Sequence, residues 1–223
     1  MHLKEEEKRI LVKANAETEI ELLKAQIHPH FLFNTLNNIY SFTLNRSPKA
    51  KKLTSDLTGI MKYMMNDCNV ELIALAKEIK MLLHYIELEK VRYGNLLLIQ
   101  TDIRGDYKNK TITPLLMIPF AENSFKHGAS KMLKDPWIKL SIQADETVLH
   151  FSLSNSKPPD KSVSKKGGIG LRNVRKRLEL LYPQNHLLTI KSTENTFMVN
   201  MQIPLQYIND SDQYATKQKS TLL

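Results

Sequence analysis

Apolar residues along this chain change their period once, near residue 95. Before that point they recur at helical spacing. Ile20, Leu23, Ile27, Phe31 and Phe42 lie on one stripe, and Leu75, Ile79, Leu82, Leu83, Ile86, Leu88 and Val91 form another. The pattern predicts a first helix running to about Leu44 and a turn at Asn45-Arg46-Ser47-Pro48, with Ser47 as a candidate cap. A second helical region follows over about 48–66, interrupted at Asp67-Cys68-Asn69 and resumed over Leu75–Arg92 until Tyr93-Gly94-Asn95 stops it. Residues 1–19, rich in Glu, Lys, Ala and Asn, read as an exposed signal-carrying helix or coil, with too few sustained heptads to specify a coiled coil.

From Leu96 onward short alternating runs dominate. Strands are expected over Leu96–Ile103, Trp137–Ala144, Val148–Ser154, Leu187–Lys191 and Phe197–Ile203, with Asp145-Glu146-Thr147 as a hairpin turn. Helices are expected within Ile112–His127, after its prolines, and over Leu171–Leu181. Ser156–Gly170 is polar and long enough to read as a lid, and the chain after Pro204 reads as a flexible tail. The expected architecture is an all-α helical hairpin followed by an α+β sandwich. Two amphipathic helices cannot bury both their faces alone, so the hairpin is expected to pair with a second copy as a four-helix bundle.

Composition narrows this only a little. The chain has 223 residues, 42% hydrophobic and 25% charged, within the range of an ordinary globular protein. One cysteine, Cys68, excludes an internal disulfide framework and fits a reducing compartment. No apolar run reaches the roughly 18 residues of a bilayer span, and the start lacks a signal-peptide pattern, so a cytosolic location is expected. A formal charge of +9, with clusters at Lys49–Lys52, Lys165-Lys166 and Arg172–Arg177, suits nucleotide phosphates, an anionic membrane face or an acidic partner. Zinc-finger spacing and an aromatic-basic strip are both missing, so nucleic acid is not the expected partner.

Candidate chemistry starts at Gln26-Ile27-His28-Pro29-His30-Phe31-Leu32-Phe33-Asn34. At about 100° per residue His28 and His30 point to nearly opposite faces, so they do not form one site. His30 sits at the edge of the apolar stripe, beside a proline that loosens the helix. Residues 23–37 resemble the phosphoacceptor segment of the LytS-like sensor histidine kinases, in which the histidine directly before Phe-Leu-Phe-Asn takes the phosphoryl group. That resemblance maps the role onto His30 and leaves His28 a polar surface residue. Tyr85–Tyr93 matches the family as well, although Glu89 and Arg92 also read as an ordinary helix-surface ion pair.

Two further stretches bear on a nucleotide. In Pro119–Gly128, Asn123 is expected to share a helix face with Lys126 and His127, and its amide oxygen suits Mg2+. A Glu122–Lys126 ion pair with a helix end at His127-Gly128 explains the same spacing. The stretch resembles the asparagine box of GHKL-type ATPases, which implies that Asn123 binds Mg2+. In Gly167–Val174, glycines ahead of a helix suit close approach to phosphate. Here the resemblance is to the superfamily's second glycine box and implies roles for Gly168, Gly170, Leu171 and Arg172. The chain departs from the family twice. Asn155 stands where the adenine-reading Asp is expected, with no glycine box after it, and Phe31 stands where many kinases carry an acidic base.

Taken together the resemblance implies a signal helix over 1–19, a dimerisation and phosphoacceptor hairpin over 20–94, a GHKL (Bergerat-type) ATP-binding domain over 95–205, and a tail over 206–223. It implies ATP and Mg2+ as cofactors, a homodimer, and transfer from His30 to an Asp of a response regulator, often one of LytTR type. It also implies membrane-embedded sensor helices upstream. Two rivals stay open on the residues alone: a dimeric signalling scaffold without ATP turnover, and a GHKL ATPase that does not use His30.

Overall fold

The structure, a computed structural model, describes residues 29–131, 135–159 and 169–207, with backbone alone at Pro29, His30 and Ile169. The expected 1–19 helix, His28, Gly167, Gly168 and the tail beyond 207 lie outside the described residues.

Helices α1 (Pro29–Leu44) and α2 (Lys49–Lys62) form the hairpin, and α2 widens into a π turn at Tyr63–Asp67. A two-residue strand β1 (Ile73–Ala74) then leads into α3 (Leu75–Lys90). The α2–α3 contact carries polar ties: the Lys52 ammonium donates to Glu87, and His84 Nδ1 lies 2.8 Å from Asp56 Oδ1. Glu89, expected on the surface, is buried, and Arg92 Nη1 donates to its Oε2 at 3.0 Å. The difference arises because α3 is covered on two sides, by α2 and by the elements that follow it.

Those elements are β2 (Leu98–Gly105), β3 (Lys110–Ile112), α4 (Ile118–Asn123), β4 (Trp137–Ala144), β5 (Val148–Ser156), α5 (Ile169–Leu181), β6 (Leu187–Ser192), β7 (Thr196–Pro204) and β8 (Gln206–Tyr207). Five strands form a mixed sheet in the order β2-β4-β5-β7-β6, with β2 parallel to β4 and the other pairs antiparallel. Period-2 alternation turns Ile138, Leu140, Ile142, Leu149, Phe151, Leu153, Val199, Met201 and Ile203 inward, where they are buried. The helices cover that face: Phe120 of α4 packs on Phe151 with ring centroids 5.6 Å apart, and Leu171, Val174 and Leu178 of α5 are buried.

Two expectations are corrected. The helix expected within Ile112–His127 begins only at Ile118; residues 110–112 are strand and 113–117 an irregular loop. Pro114 disfavours a helical Thr113, and Leu115 takes a left-handed φ of +59°. The tail does not start at 206, because β8 pairs with β3, which also pairs with β1.

Gly105 ends β2 at φ +88°, and a Cβ there would lie 2.0 Å from the Ala144 carbonyl oxygen across the parallel pair. Gly105→Ala is therefore expected to cost about 2–3 kcal/mol, combining left-handed strain with a backbone clash. A lowered urea midpoint with an unchanged m-value is the expected reading; an unchanged midpoint would refute it.

Candidate nucleotide and phosphoacceptor site

Helix α4 tolerates Pro119 because the proline lies in its first turn, where the backbone N–H has no intrahelical partner. After Asn123 the helix widens into a π turn over Ser124–Gly128. Such turns occur mostly as single-turn bulges, frequently at functional sites. Phe120, Ala121, Ser124, Phe125 and Gly128 face the core, which leaves Asn123 half-buried and Lys126 and His127 exposed. The side chain of Asn123 makes no hydrogen bond among the described residues and is open to a ligand. Partial burial and the neighbouring Lys131 and Lys126 hold His127 below its usual pKa. At neutral pH His127 is therefore an uncharged hydrogen-bonding group; it becomes a cation only in more acidic solution.

Asn155 lies on the inward face of β5 and is 1% exposed. Its Nδ2 donates to the Ser156 carbonyl at 2.8 Å, and its Oδ1 is buried without a hydrogen-bond partner among the described residues. A buried acceptor left unsatisfied costs about 1–3 kcal/mol, so a ligand donor would be favoured at this point. The π turn comes against Asn155 at Gly128, where a Cβ would lie 2.2 Å from Nδ2 and 2.8 Å from the Ser156 oxygen. The segment bearing Asn123 and the strand end bearing Asn155 are thus in contact.

At the start of α5, Leu171 is buried in the core, so any role toward phosphate falls to its main chain. Arg172 and Arg175 are exposed, whereas Arg177 is 1% exposed and points inward. A Cβ at Gly170 would meet nothing within 4 Å, so no packing among the described residues demands glycine there.

The first turn of α1 reaches this region through aromatic rings. Phe31, next after His30, is buried against Tyr85 of α3 with centroids 5.1 Å apart. Tyr85 meets Phe125 of the π turn edge-on at 6.0 Å, and Tyr93 stacks on Phe125 at 6.0 Å. Burial pushes the Tyr85 phenol well up, reinforced by the negative charges of Glu89 and Glu122. Glu122, on α4, is therefore close to the ring that holds Phe31.

A family model described as "Histidine kinase" matches residues 18–97. Sensor protein LytS of Staphylococcus epidermidis is 29% identical over 200 residues, covering 84% of this chain and 34% of LytS. Residues 18–97 thus carry the histidine kinase family's pattern, and the chain is similar to LytS-type sensors. An uncharacterized Bacillus subtilis protein, YwpD, is 31% identical over 178 residues, covering 74% of this chain and 64% of YwpD. The solved histidine kinase domain of a blue-light activated kinase from Erythrobacter litoralis matches with TM-score 0.47 and 16% identity, over 86% of this chain and 95% of that chain. This chain spans less than two thirds of YwpD and about a third of LytS.

The residues missed by sequence reading are Glu78 and Arg177. Both are charged, both sit at positions in phase with an apolar helix face, and both are 1% exposed. That phase was the available signal: Glu78 follows Leu75 and precedes Leu82, and Arg177 lies between Val174 and Leu178.

Proposed function

We propose that this chain is the kinase region of a two-component sensor, autophosphorylating His30 from Mg–ATP and passing the phosphoryl group to a response-regulator aspartate. The observation that carries the reading is the aromatic column Phe31–Tyr85–Phe125, which joins the turn after the phosphoacceptor to the helix bearing Asn123. Residues 20–94 serve as the phosphoacceptor hairpin and 95–205 as the nucleotide domain, with α3 as their shared wall.

The residues fit the nucleotide. Asn155 Oδ1 is an orphaned buried acceptor suited to the exocyclic amine of adenine. Gly170 has no packing reason to be glycine among the described residues, which supports close approach of phosphate to the main chain, with Arg172 beside it. Asn123 and the nucleotide's own phosphates hold Mg2+, with Lys126 and His127 flanking. Bound Mg2+ neutralises phosphate charge. In the transfer, a nitrogen of His30 bonds to the γ-phosphorus as the bond from that phosphorus to the bridging oxygen breaks and ADP leaves. Glu122 is the candidate to take the imidazole proton. Positioning and charge neutralisation supply the rate.

A stripe on α1 supports the homodimer: Phe33, Leu36, Tyr40 and Leu44 are 65%, 55%, 65% and 66% exposed. Apolar residues repeating at this spacing on an open helix face suit a second hairpin, completing a four-helix bundle. No helix among the described residues is long and apolar enough to cross a membrane. The short coverage of LytS supports upstream sensor helices in the whole protein, and the family supports a LytTR-type regulator as partner.

Incubation with γ-labelled ATP and Mg2+ tests the reading. The chain is expected to take up acid-labile, base-stable label. Asn123→Ala is expected to lower both Mg–ATP affinity and labelling by at least about 10- to 100-fold, the range for residues that support a metal. Stable nucleotide binding without any label would favour the ATPase, and neither would favour the scaffold.

A further inference from the structure

A buried polar cluster among the described residues lies between α2, α3 and the loop ahead of α4. Glu78 projects from the first turn of α3 and accepts four hydrogen bonds. The Tyr63 hydroxyl, at the end of α2, donates to Oε2, as does the Leu115 N–H at 3.0 Å. The N–H groups of Leu116 and Met117 donate to Oε1 at 3.1 and 3.5 Å. These three amides lie immediately ahead of α4, at the end of a helix where backbone donors have no partners of their own. From the other side Arg177 of α5 donates to the Leu115 carbonyl at 3.5 Å; burial pushes the Glu78 carboxyl above its usual pKa, opposed by the hydrogen bonds it accepts and by the Arg177 charge.

Leu115 is therefore held at both its amide and its carbonyl, in a left-handed conformation that costs a non-glycine residue about 1–2 kcal/mol. Such strain persists only where the surroundings over-determine it. The surroundings here come from three helices: α2 of the hairpin, α3, and α5. Neighbouring ties run in the same direction: β1 pairs with β3, and Thr113 N–H donates to the Tyr182 hydroxyl at 3.1 Å. The loop into α4 is thus bonded on one side to the hairpin and on the other to α5 and the turn after it.

We infer that Glu78 is a positioning residue, through which helices α2 and α3 fix the start of α4 and so the placement of Asn123. It touches no reacting atom. Its task is to make the position of the nucleotide helix depend on the geometry of the hairpin, so that a shift of α2 relative to α3 at Tyr63 is felt at Leu115–Met117. The clamp stands on its hydrogen bonds alone; its consequence for phosphotransfer rests on the function proposed above.

Hydrogen exchange on the 223-residue chain, with Glu78→Gln and Tyr63→Phe, tests the inference without requiring activity. In Glu78→Gln the amides of 115–123 are expected to exchange about 10- to 100-fold faster, the worth of hydrogen bonds to a charged acceptor. Tyr63→Phe leaves the carboxylate in place, removes the hydroxyl that Glu78 and the Leu115 amide share, and is expected to speed the same amides about 3- to 10-fold. Exchange in β5 and β7 should stay at the wild-type rate in both, and Mg–ATP should bind more weakly in the same order. Unchanged exchange at 115–123 in the folded Tyr63→Phe chain, or acceleration spread evenly through the sheet, would overturn the inference. Should the wild-type chain bind no nucleotide, the kinase reading fails while the exchange pattern still decides the clamp.

Discussion

His30→Ala is expected to abolish label transfer from γ-labelled ATP, a loss of at least about 1,000-fold, because no other nucleophile takes over a covalent step. His28→Ala is expected to keep most of it. The two histidines are two residues apart, so on a helix they point to nearly opposite faces and only one can meet a phosphate held beside α4. The expectation rests as well on Phe31. Its ring is buried on Tyr85 and so fixes the turn that carries His30, whereas Phe33, two residues on, is solvent-exposed. Nucleotide binding is expected to survive in His30→Ala, since Asn123, Asn155 and Gly170 lie on other elements. Loss of label in both histidine variants, or in neither, would defeat the assignment. Phosphate release undiminished in His30→Ala would show that turnover bypasses the histidine.

Local pattern carried much of this architecture. Strand β4 spans the residues expected from its alternation, β5 is two residues longer, and the turn between them falls at Asp145–Thr147. Helices α2, α3 and α5 likewise follow their apolar stripes. What local pattern did not carry depends on partners distant in sequence. The strand β8 exists because Gln206 and Tyr207 meet Thr111 and Lys110, nearly a hundred residues earlier. The irregular loop before α4 exists because Glu78 supplies acceptors that a helical continuation would have found in its own backbone. The site divides in the same way. Asn123 and Asn155 were legible as residues, but their approach through Gly128 is a tertiary fact, and the aromatic column under Phe31 involves three separate elements.

Gly128→Ala is expected to damage stability and nucleotide binding together, and the two losses have separable causes. The added methyl would lie 2.2 Å from Asn155 Nδ2, 2.9 Å from its Cγ and 2.8 Å from the Ser156 carbonyl oxygen. Asn155 is too tightly enclosed to swing aside, and Ser156 belongs to a strand paired on both sides, with Thr196 opposite it on β7. The π turn must therefore lift from β5, at a cost of about 1–3 kcal/mol for an overpacked contact. A lowered urea midpoint reads that cost. Mg–ADP affinity is expected to fall about tenfold or more, because the lift separates Asn123 from Asn155, and a displacement on the order of 1 Å is already costly to positioned chemistry. Gly128→Ala combined with Asn155→Ala separates the two. Removing the amide clears the closest contacts and should recover part of the stability, while affinity stays low because the buried acceptor for adenine is gone. Recovery of both would mean that Asn155 is only a packing residue, and an unchanged midpoint in Gly128→Ala would mean that the π turn does not rest on β5.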